Sequence, residues 1–349
     1  MEFGIFDHCE RNSRSPTETY QERFRVARRA EKAGFFAYHV AEHHGTPLSL
    51  VPSPSVFLAA LAQATTTLRL GPLVYLLPLY NPYRVAEEVC MLDDLSGGRI
   101  ELGVGRGANP IELSFFGLDP ASAQARFKEA FDALMQGLLQ GRISLQGDHY
   151  QVKDSPVDGR TLQRPHPPIW YPSSGGGGSL AWAAQQGYNT VVNGSLSACA
   201  EAVKVFKDNF APGDQGADPK VGLTRYVYIG DTDAEAMRVG QEAFRYHMAN
   251  LTKLTREAGL DHRKSPVMPP DDFDEAIRTG WAAVGSPATV CEQLASIFDK
   301  IGNNYFIFAP MQGDLSVEWG LNTIAAFEDE VMPAFGKPRA ERKIAEAVG

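Results

Sequence analysis

Long apolar runs are missing from this 349-residue chain, the longest being GPLVYLLPLY at residues 71–80. Ten residues punctuated by prolines cannot span a bilayer, so no membrane role is expected. The first ten residues, MEFGIFDHCE, lack a basic region and Asp7 interrupts their apolar stretch, so no signal peptide is expected and a cytoplasmic location is. Positive charge is also short: 33 Lys and Arg stand against 42 Asp and Glu, a formal net charge of -9. That balance disfavours nucleic acid and anionic membranes as main partners, because both require clustered cations. An anionic ligand would need a local basic site. Cysteine is scarce, and Cys9, Cys90, Cys199 and Cys291 show neither CxxC spacing nor the density of a disulfide scaffold. They are expected as reduced, mostly buried thiols.

What is present is ordinary globular material, 44% hydrophobic and 21% charged. Eight short runs rich in Val, Ile, Phe and Tyr read as strands: FGIFD near residue 3, FAYHV from 36, LRLGPLVYLL from 68, IELGVG from 100, PIWYPS from 168, NTVVNG from 189, VGLTRYVYIG from 221 and NYFIFAP from 304. Several are continuously apolar, as in parallel strands buried on both faces. Helical patterns lie between them, at roughly 16–33, 54–65, 83–95, 179–187, 196–210, 232–257, 287–301 and 315–331. Residues 16–33 carry an early Pro, acidic residues first, basic residues later and a closing Gly, the signature of a capped helix. The alternation predicts an α/β chain, a single (β/α)8 TIM barrel over residues 1–349. Two connections exceed a simple turn, 105–167 after the fourth strand and 250–286 between the last two; the second is a lid candidate.

Three places could carry chemistry. HVAEHH, residues 39–44, contains H-x-x-E-H, a zinc pattern that requires both histidines on one helix. Here aromatic and β-branched neighbours place His39 on a strand and Glu42, His43 and His44 in the loop beyond it, so no metal site is expected. In a barrel, residues past a strand end face the mouth, which makes Glu42, His43 and His44 candidates for contact with ligand; at least one of the imidazoles is expected to serve only the loop. GVGRGANP, residues 103–110, fails the dinucleotide fingerprint because Pro110 stands where the helix should begin. Gly103, Gly105 and Gly107 instead allow close backbone approach to a ligand, and Arg106 offers a forked cation for phosphate; the alternative is a glycine-rich turn with a solvated arginine. YPSSGGGGSLAWAAQQG, residues 171–187, runs from strand through glycines into a helix, an anion site to which Ser173, Ser174 and Ser179 can add hydroxyls, or a loop without ligand. No Lys follows in the P-loop pattern, which argues against ATP hydrolysis.

Taken together, EHH after strand two, LRLGPLVYLLPLYNPYRVAEE, LDDLSGGRIELGVGRG, VGSPATVCEQL and EVMPAF resemble the bacterial luciferase-like monooxygenase family, in order and nearly end to end. The resemblance implies a (β/α)8 barrel that takes reduced FMN from a separate flavin reductase and uses O2, through a C4a-peroxyflavin, to oxygenate a small organic substrate. Some relatives use the deazaflavin F420 instead, and a flavin-binding protein without turnover is a third reading. By position, His43 matches the catalytic histidine and Arg106 the phosphate arginine. Glu42 falls among the cofactor contacts, and Ser174, Gly175, Gly176 and Ser179 fall in the remaining phosphate loop. Leu73 and Val74 correspond to a non-prolyl cis peptide beneath the isoalloxazine, and Phe6, Leu73, Val74 and Tyr75 could wall the site against water. Gly105 replaces the reactive cysteine of the luciferases proper, which argues against light emission and long-chain aldehydes. The resemblance also implies a homodimer, paired through SPSVFLAALAQA and RVAEEVCMLDDL, whose Ala59, Ala60, Ala62, Ala64 and Ala86 would permit close approach. Substrate identity resides in variable loops and is not legible.

Overall fold

A computed structural model describes residues 1–107, 109–172, 177–214, 216 and 218–336. All eight runs expected as strands contain one. β1 (Glu2–Asp7), β2 (Ala37–Val40) and β3 (Arg69–Pro72) come first; the third run breaks and resumes as β4 (Tyr75–Leu76), and β5 (Leu102–Gly105) follows. A hairpin of β6 (Arg142–Gln146) and β7 (Gln151–Pro156) precedes β8 (Ile169–Trp170) and β9 (Thr190–Val192). The seventh run splits into β10 (Val221–Thr224) and β11 (Tyr226–Ile229), then β12 (Ala282–Gly285) and β13 (Tyr305–Phe308) complete the set. One parallel sheet runs β3-β2-β1-β13-β10-β9. β5 pairs in parallel with β8 and with β4, and single bridges join Leu70 to Ile100 and Trp170 to Asn189. The strands form a curled parallel sheet with helices packed outside it.

The helices are α1 (Pro16–Lys32), α2 (Pro54–Ala64), α3 (Pro82–Ser96), α4 (Pro110–Phe115), α5 (Ala123–Gln140), α6 (Gly177–Gln185), α7 (Leu196–Asn209), α8 (Asp233–Glu257), α9 (Phe273–Arg278), α10 (Pro287–Ile301), α11 (Val317–Ala326) and α12 (Met332–Phe335). Local chemistry sets their ends. Ser15 and Glu18 close a reciprocal capping box at the start of α1, and Gly97 and Gly141 end α3 and α5 in the left-handed conformation, where only glycine is unstrained. Among the described residues no helix is long and apolar enough to cross a membrane. Three of the four cysteines are buried, and all four are free thiols.

Residues 105–167 are not the long loop expected from sequence. They hold α4, the 18-residue α5 and the β6–β7 hairpin. α5 buries Phe127, Ala130, Phe131, Leu134 and Leu138, a helical stripe that lies against α3 so closely that a Cβ on Gly137 would sit 3.0 Å from the Ala86 Cβ. The other long connection is also partly ordered: α8 extends to Glu257, and α9 and β12 follow. At Arg225 the seventh run changes partners, with the Arg225 N–H donating to Ile307 O and the Tyr226 N–H to Trp281 O. From there β11 pairs with β12 in place of β13.

The third run breaks at a cis peptide between Leu73 and Val74. Gly103 and Gly105 make room for this break. A Cβ at Gly103 would lie 2.1 Å from Pro72 O, and one at Gly105 2.5 Å from Val74 Cγ2. Their absent side chains thus serve strand packing, whereas Gly107, with φ +90°, is the member of the triplet that lines a cavity.

Inside the sheet-helix interface, Arg23 of α1 is 1% exposed and donates from Nε to Asp7 Oδ2 at 2.9 Å, while the Tyr38 hydroxyl donates to the same oxygen. Removing one partner of a buried pair strands the other's charge in low dielectric. Asp7→Asn should therefore lower the unfolding free energy in urea by about 3–5 kcal/mol. Asp208→Asn, which removes the exposed pair with Lys204 on α7, should leave the midpoint unchanged.

Candidate active site

The loop after β2 is held by two buried carboxylates. Glu42 accepts from the Leu76 N–H at 3.0 Å and from His44 Nε2 at 2.9 Å, and Tyr80 bonds it as well. Glu112, on α4, accepts from the His44 N–H at 2.9 Å and from His43 Nδ1 at 3.0 Å. Burial pushes the Glu112 carboxyl up, but the hydrogen bond and charge of His43 outweigh it, leaving the acid below its usual range. An ionised carboxylate can only accept, so it selects the tautomer of His43 with the proton on Nδ1 and leaves the Nε2 lone pair for other work. His44 is committed on its far side to Glu42 and packs edge-on to Phe116 at 4.8 Å between centroids. The geometry thus separates the two histidines: His43 lines a cavity, and His44 is tied to Glu42.

His43, Glu42, Leu76 and Glu112 line one end of a cavity of about 750 Å³. Phe6 and His8, at the end of β1 and just past it, form its floor with His43, the His8 and His43 rings stacked at 5.6 Å. His247, on α8, lies 5.5 Å from His8 and faces the Glu10 carboxylate through Nδ1 at 3.2 Å. Glu10 also accepts from Asn250 Nδ2 at 3.0 Å and from the Gly313 N–H. Burial, then the neighbouring His247 and His43, hold His8 well below the ordinary imidazole range, so it is neutral at physiological pH. Arg225, Tyr226 and Trp281 also line it, as do His262, Lys264 and Met268 from the segment expected as a lid.

Sequence reading missed His8, His247 and Arg225. The strand-end rule that selected Glu42 and His43 would have found His8, which directly follows β1. No comparable signal marks His247, a helical residue tied to a carboxylate 237 positions away.

Arg106 follows β5 and is exposed, its Nη1 3.5 Å from Gln124 Oε1. It meets Ser179 at Tyr171: burial pushes the Tyr171 phenol up, while the Arg106 charge and a Ser179 hydrogen bond pull it back. Both residues expected at the phosphate thus act on Tyr171, although they stand on different turns. Ser173, Ser174, Gly175 and Gly176 lie outside the described residues. Leu73 packs with Trp170, Val191, Tyr305 and Ile307 inside the sheet, with Val74 and Phe6 partly buried beside them. Of the four residues expected as walls, Phe6 lines this cavity, whereas Leu73, Val74 and Tyr75 do not. Side chains alternate along a strand, so while Leu76 faces the cavity Tyr75 points into the helix layer, where its hydroxyl lies 2.8 Å from Ser55 Oγ. His39, in β2, is wholly buried with Nε2 2.9 Å from the Tyr305 hydroxyl, apart from the Glu112-bound His43. Among the described residues no group of three or more His, Cys, Asp or Glu could hold a metal ion.

Residues 1–304 match the family model for luciferase-like monooxygenase. A Sinorhizobium fredii protein of uncharacterised function is 37% identical over 340 residues, 96% of this chain and 98% of that protein. The oxygenase component of flavin-dependent trigonelline monooxygenase from Acinetobacter baylyi is 27% identical over 98% of each chain. In three dimensions the chain is similar to the oxygenating constituent of 3,6-diketocamphane monooxygenase from Pseudomonas putida, a type II Baeyer-Villiger monooxygenase in complex with FMN. That match has a TM-score of 0.76 at 20% identity and covers 97% of this chain and 99% of the other.

The buried imidazoles make the fold acid-sensitive. Burial and then the nearby Arg69 charge hold His39 down to about 3 from an ordinary 6.5, so the unfolded chain binds a proton that the folded chain refuses. Its contribution to stability is intact above pH 6.5 and is lost progressively as pH falls towards 3, by up to about 1.4 kcal/mol per pH unit. His8 acts in the same direction. In urea titrations at a series of pH values, His39→Gln should flatten the acid limb by one proton. An unchanged slope would show that His39 titrates normally in the fold.

Proposed function

The chain belongs to the luciferase-like monooxygenase family, and on that premise we propose that it is the oxygenase of a two-component system. It takes reduced FMN from a separate flavin reductase and uses O2 to oxygenate a small organic substrate. The observation that carries this reading is His43, its Nδ1 fixed by a buried carboxylate, at the edge of a cavity large enough for cofactor and substrate. The A. baylyi relative is named as the oxygenase component of a flavin-dependent system, and the P. putida protein binds FMN, which supports the choice of cofactor. We read residues 1–349 as one domain whose strands close into a (β/α)8 barrel; the Leu70–Ile100 and Trp170–Asn189 bridges, at either side of the β5–β8 pair, support that closure. A cytoplasmic location belongs to the same reading, in keeping with four free thiols.

The residues present suit the cofactor. Arg106 forms no salt bridge among the described residues, and its charge reaches Tyr171, to which Ser179, near the start of α6 where an anion is favoured, is hydrogen-bonded. Ser174, Gly175 and Gly176 complete the proposed phosphate loop. Glu42 anchors the Leu76 N–H and so holds the Leu73–Val74 segment against which the ring system would lie. Reduced flavin, when bound, supplies the two electrons with which one oxygen atom enters the substrate and the other leaves as water. Phe6 and Leu76, in the cavity wall, keep bulk water from that region, and His43 Nε2 moves or holds the proton.

We also propose a homodimer. The faces of α2 and α3 expected to pair expose Val56 at 73%, Met91 at 63% and Leu95. Of the alanines thought to permit close approach, Ala62 and Ala86 instead pack within their own chain, so the exposed aliphatic residues are the better candidates for the contact. Sedimentation at micromolar concentration should give a dimer, and a monomer there would remove this proposal.

Anaerobic titration with reduced FMN and with F420, followed by an oxygen pulse, separates the readings. Reduced FMN should bind and react. Tight F420 binding with no oxygen use would favour hydride transfer, and binding without any turnover a flavin carrier. Arg106→Ala should weaken reduced-FMN binding about tenfold or more, since a charged hydrogen bond contributes roughly 1.5–3 kcal/mol. His43→Ala should cost about 10²–10⁴-fold in oxygenation at near-normal FMN affinity. His44→Ala, which unties Glu42 and uncovers Phe116, should lower the melting temperature more than turnover. Loss of oxygenation in a folded His44→Ala protein, with His43→Ala active, would reverse the two roles.

A further inference from the structure

Arg225, between β10 and β11, is 4% exposed and contributes to the cavity wall, and nothing in the proposed chemistry uses it. Nη1 donates to Thr224 O at 2.8 Å, and Nη2 to Gly194 O at 3.1 Å and to Cys199 Sγ at 3.6 Å. Its guanidinium carbon lies 5.3 Å from the Trp281 ring centroid. Nε is buried without a hydrogen-bond partner. Among the described residues no carboxylate lies within ion-pair distance. The contrast with Arg23 is informative: that arginine is equally buried and is paired with Asp7.

The carboxylates of the cavity wall are already committed. Glu42 and Glu112 hold the histidine loop, and Asp261 is bound by Arg263. Burial pulls Arg225 below its ordinary value, yet a guanidinium stays protonated in proteins. A buried charge is tolerated when it is paired, and backbone carbonyls supply only dipoles. Lys264, exposed and without a salt bridge among the described residues, adds a second positive charge to the cavity lining.

We propose that the missing counter-charge is the substrate's: the cavity takes a small organic monoanion whose carboxylate sits against Arg225 and whose apolar body extends towards Phe6 and His43. This deepens the function proposed above and rests on the cavity being the substrate site. The cofactor phosphate is not the anion concerned. Arg106 follows β5, which pairs with the resumed third strand, whereas Arg225 follows β10, four places from β3 in the sheet order. A single guanidinium with both terminal nitrogens partly engaged also matches one negative charge better than two.

The test is calorimetric and needs no turnover. Benzoate and hexanoate, each against its primary amide, probe charge at nearly constant shape. In the wild-type protein each acid should bind about tenfold or more tightly than its amide, the scale of a charge-assisted pair. Arg225→Gln should erase the preference and leave amide binding unchanged. Arg225→Lys, which keeps the charge but not the fork, should retain part of it, and it serves as the variant if the glutamine protein fails to fold. Equal binding of acid and amide by the wild-type protein overturns the proposal, as does failure of either acid to bind below about 1 mM. So does an acid preference that survives Arg225→Gln. Reduced-FMN titration of Arg225→Gln forms the second arm: unchanged affinity is expected, and a loss there with the acid preference intact would assign the charge to the flavin. Because binding is read directly, failure of the oxygenase reading would leave the acid preference standing, and oxygenation of substrates without any acid preference would remove only this inference.

Discussion

Two carboxylates held out of water, Glu42 and Glu112, are the constraint on which the rest of the cavity depends. Neither can remain charged in a low-dielectric wall without donors, so each must gather N–H groups from separate parts of the chain. Glu42 gathers His44 and the Leu76 amide, and so ties the loop after β2 to the resumed third strand just past the Leu73–Val74 peptide. Glu112 gathers His43 and the His44 amide, and so docks α4 on the same loop. The position of His43 and the shape of the cavity follow from this network. A single proton assignment, Nδ1 to Glu112, leaves Nε2 as a basic nitrogen.

Around that network the cavity manages charge unevenly. His8 is kept neutral by burial and by two neighbouring imidazoles, and the Glu10 carboxylate faces His247, Asn250 Nδ2 and the Gly313 N–H. Arg23, a short distance away in the helix interface, has Asp7. Arg225 alone among these groups has dipoles and an aromatic face but no anion. The family relationship speaks to reaction class, whereas this uneven compensation speaks to what enters the cavity. The two arguments rest on different residues.

Close approach of strands is the second structural theme. The break at Leu73–Val74 projects towards β5, and only glycine at 103 and 105 leaves room for Pro72 O and the Val74 side chain. The glycine at 105, noted from sequence as a departure from the luciferases proper, therefore has a steric reason within this chain. The same break inverts the alternation, placing Leu76 in the cavity and Tyr75 in the helix layer.

By itself the sequence determined the eight strand runs, most of the outer helices and the strand-end location of Glu42, His43 and His44. All of these are written in local periodicity, capping residues and propensity. α5 was equally legible, since Phe127, Phe131, Leu134 and Leu138 recur at helical spacing, but its place inside a long connection concealed it. Tertiary structure alone placed His43, and not His44, in the cavity wall, because its partner, Glu112, lies 69 positions away. It alone placed Arg225 in the cavity wall. In VGLTRYVYIG that residue reads as one polar position in a strand, and only the exchange of β13 for β12 as partner turns it towards the cavity. The physical reason is common to both cases: periodicity reports which face of an element is apolar, whereas charge compensation depends on groups that meet only when distant elements pack.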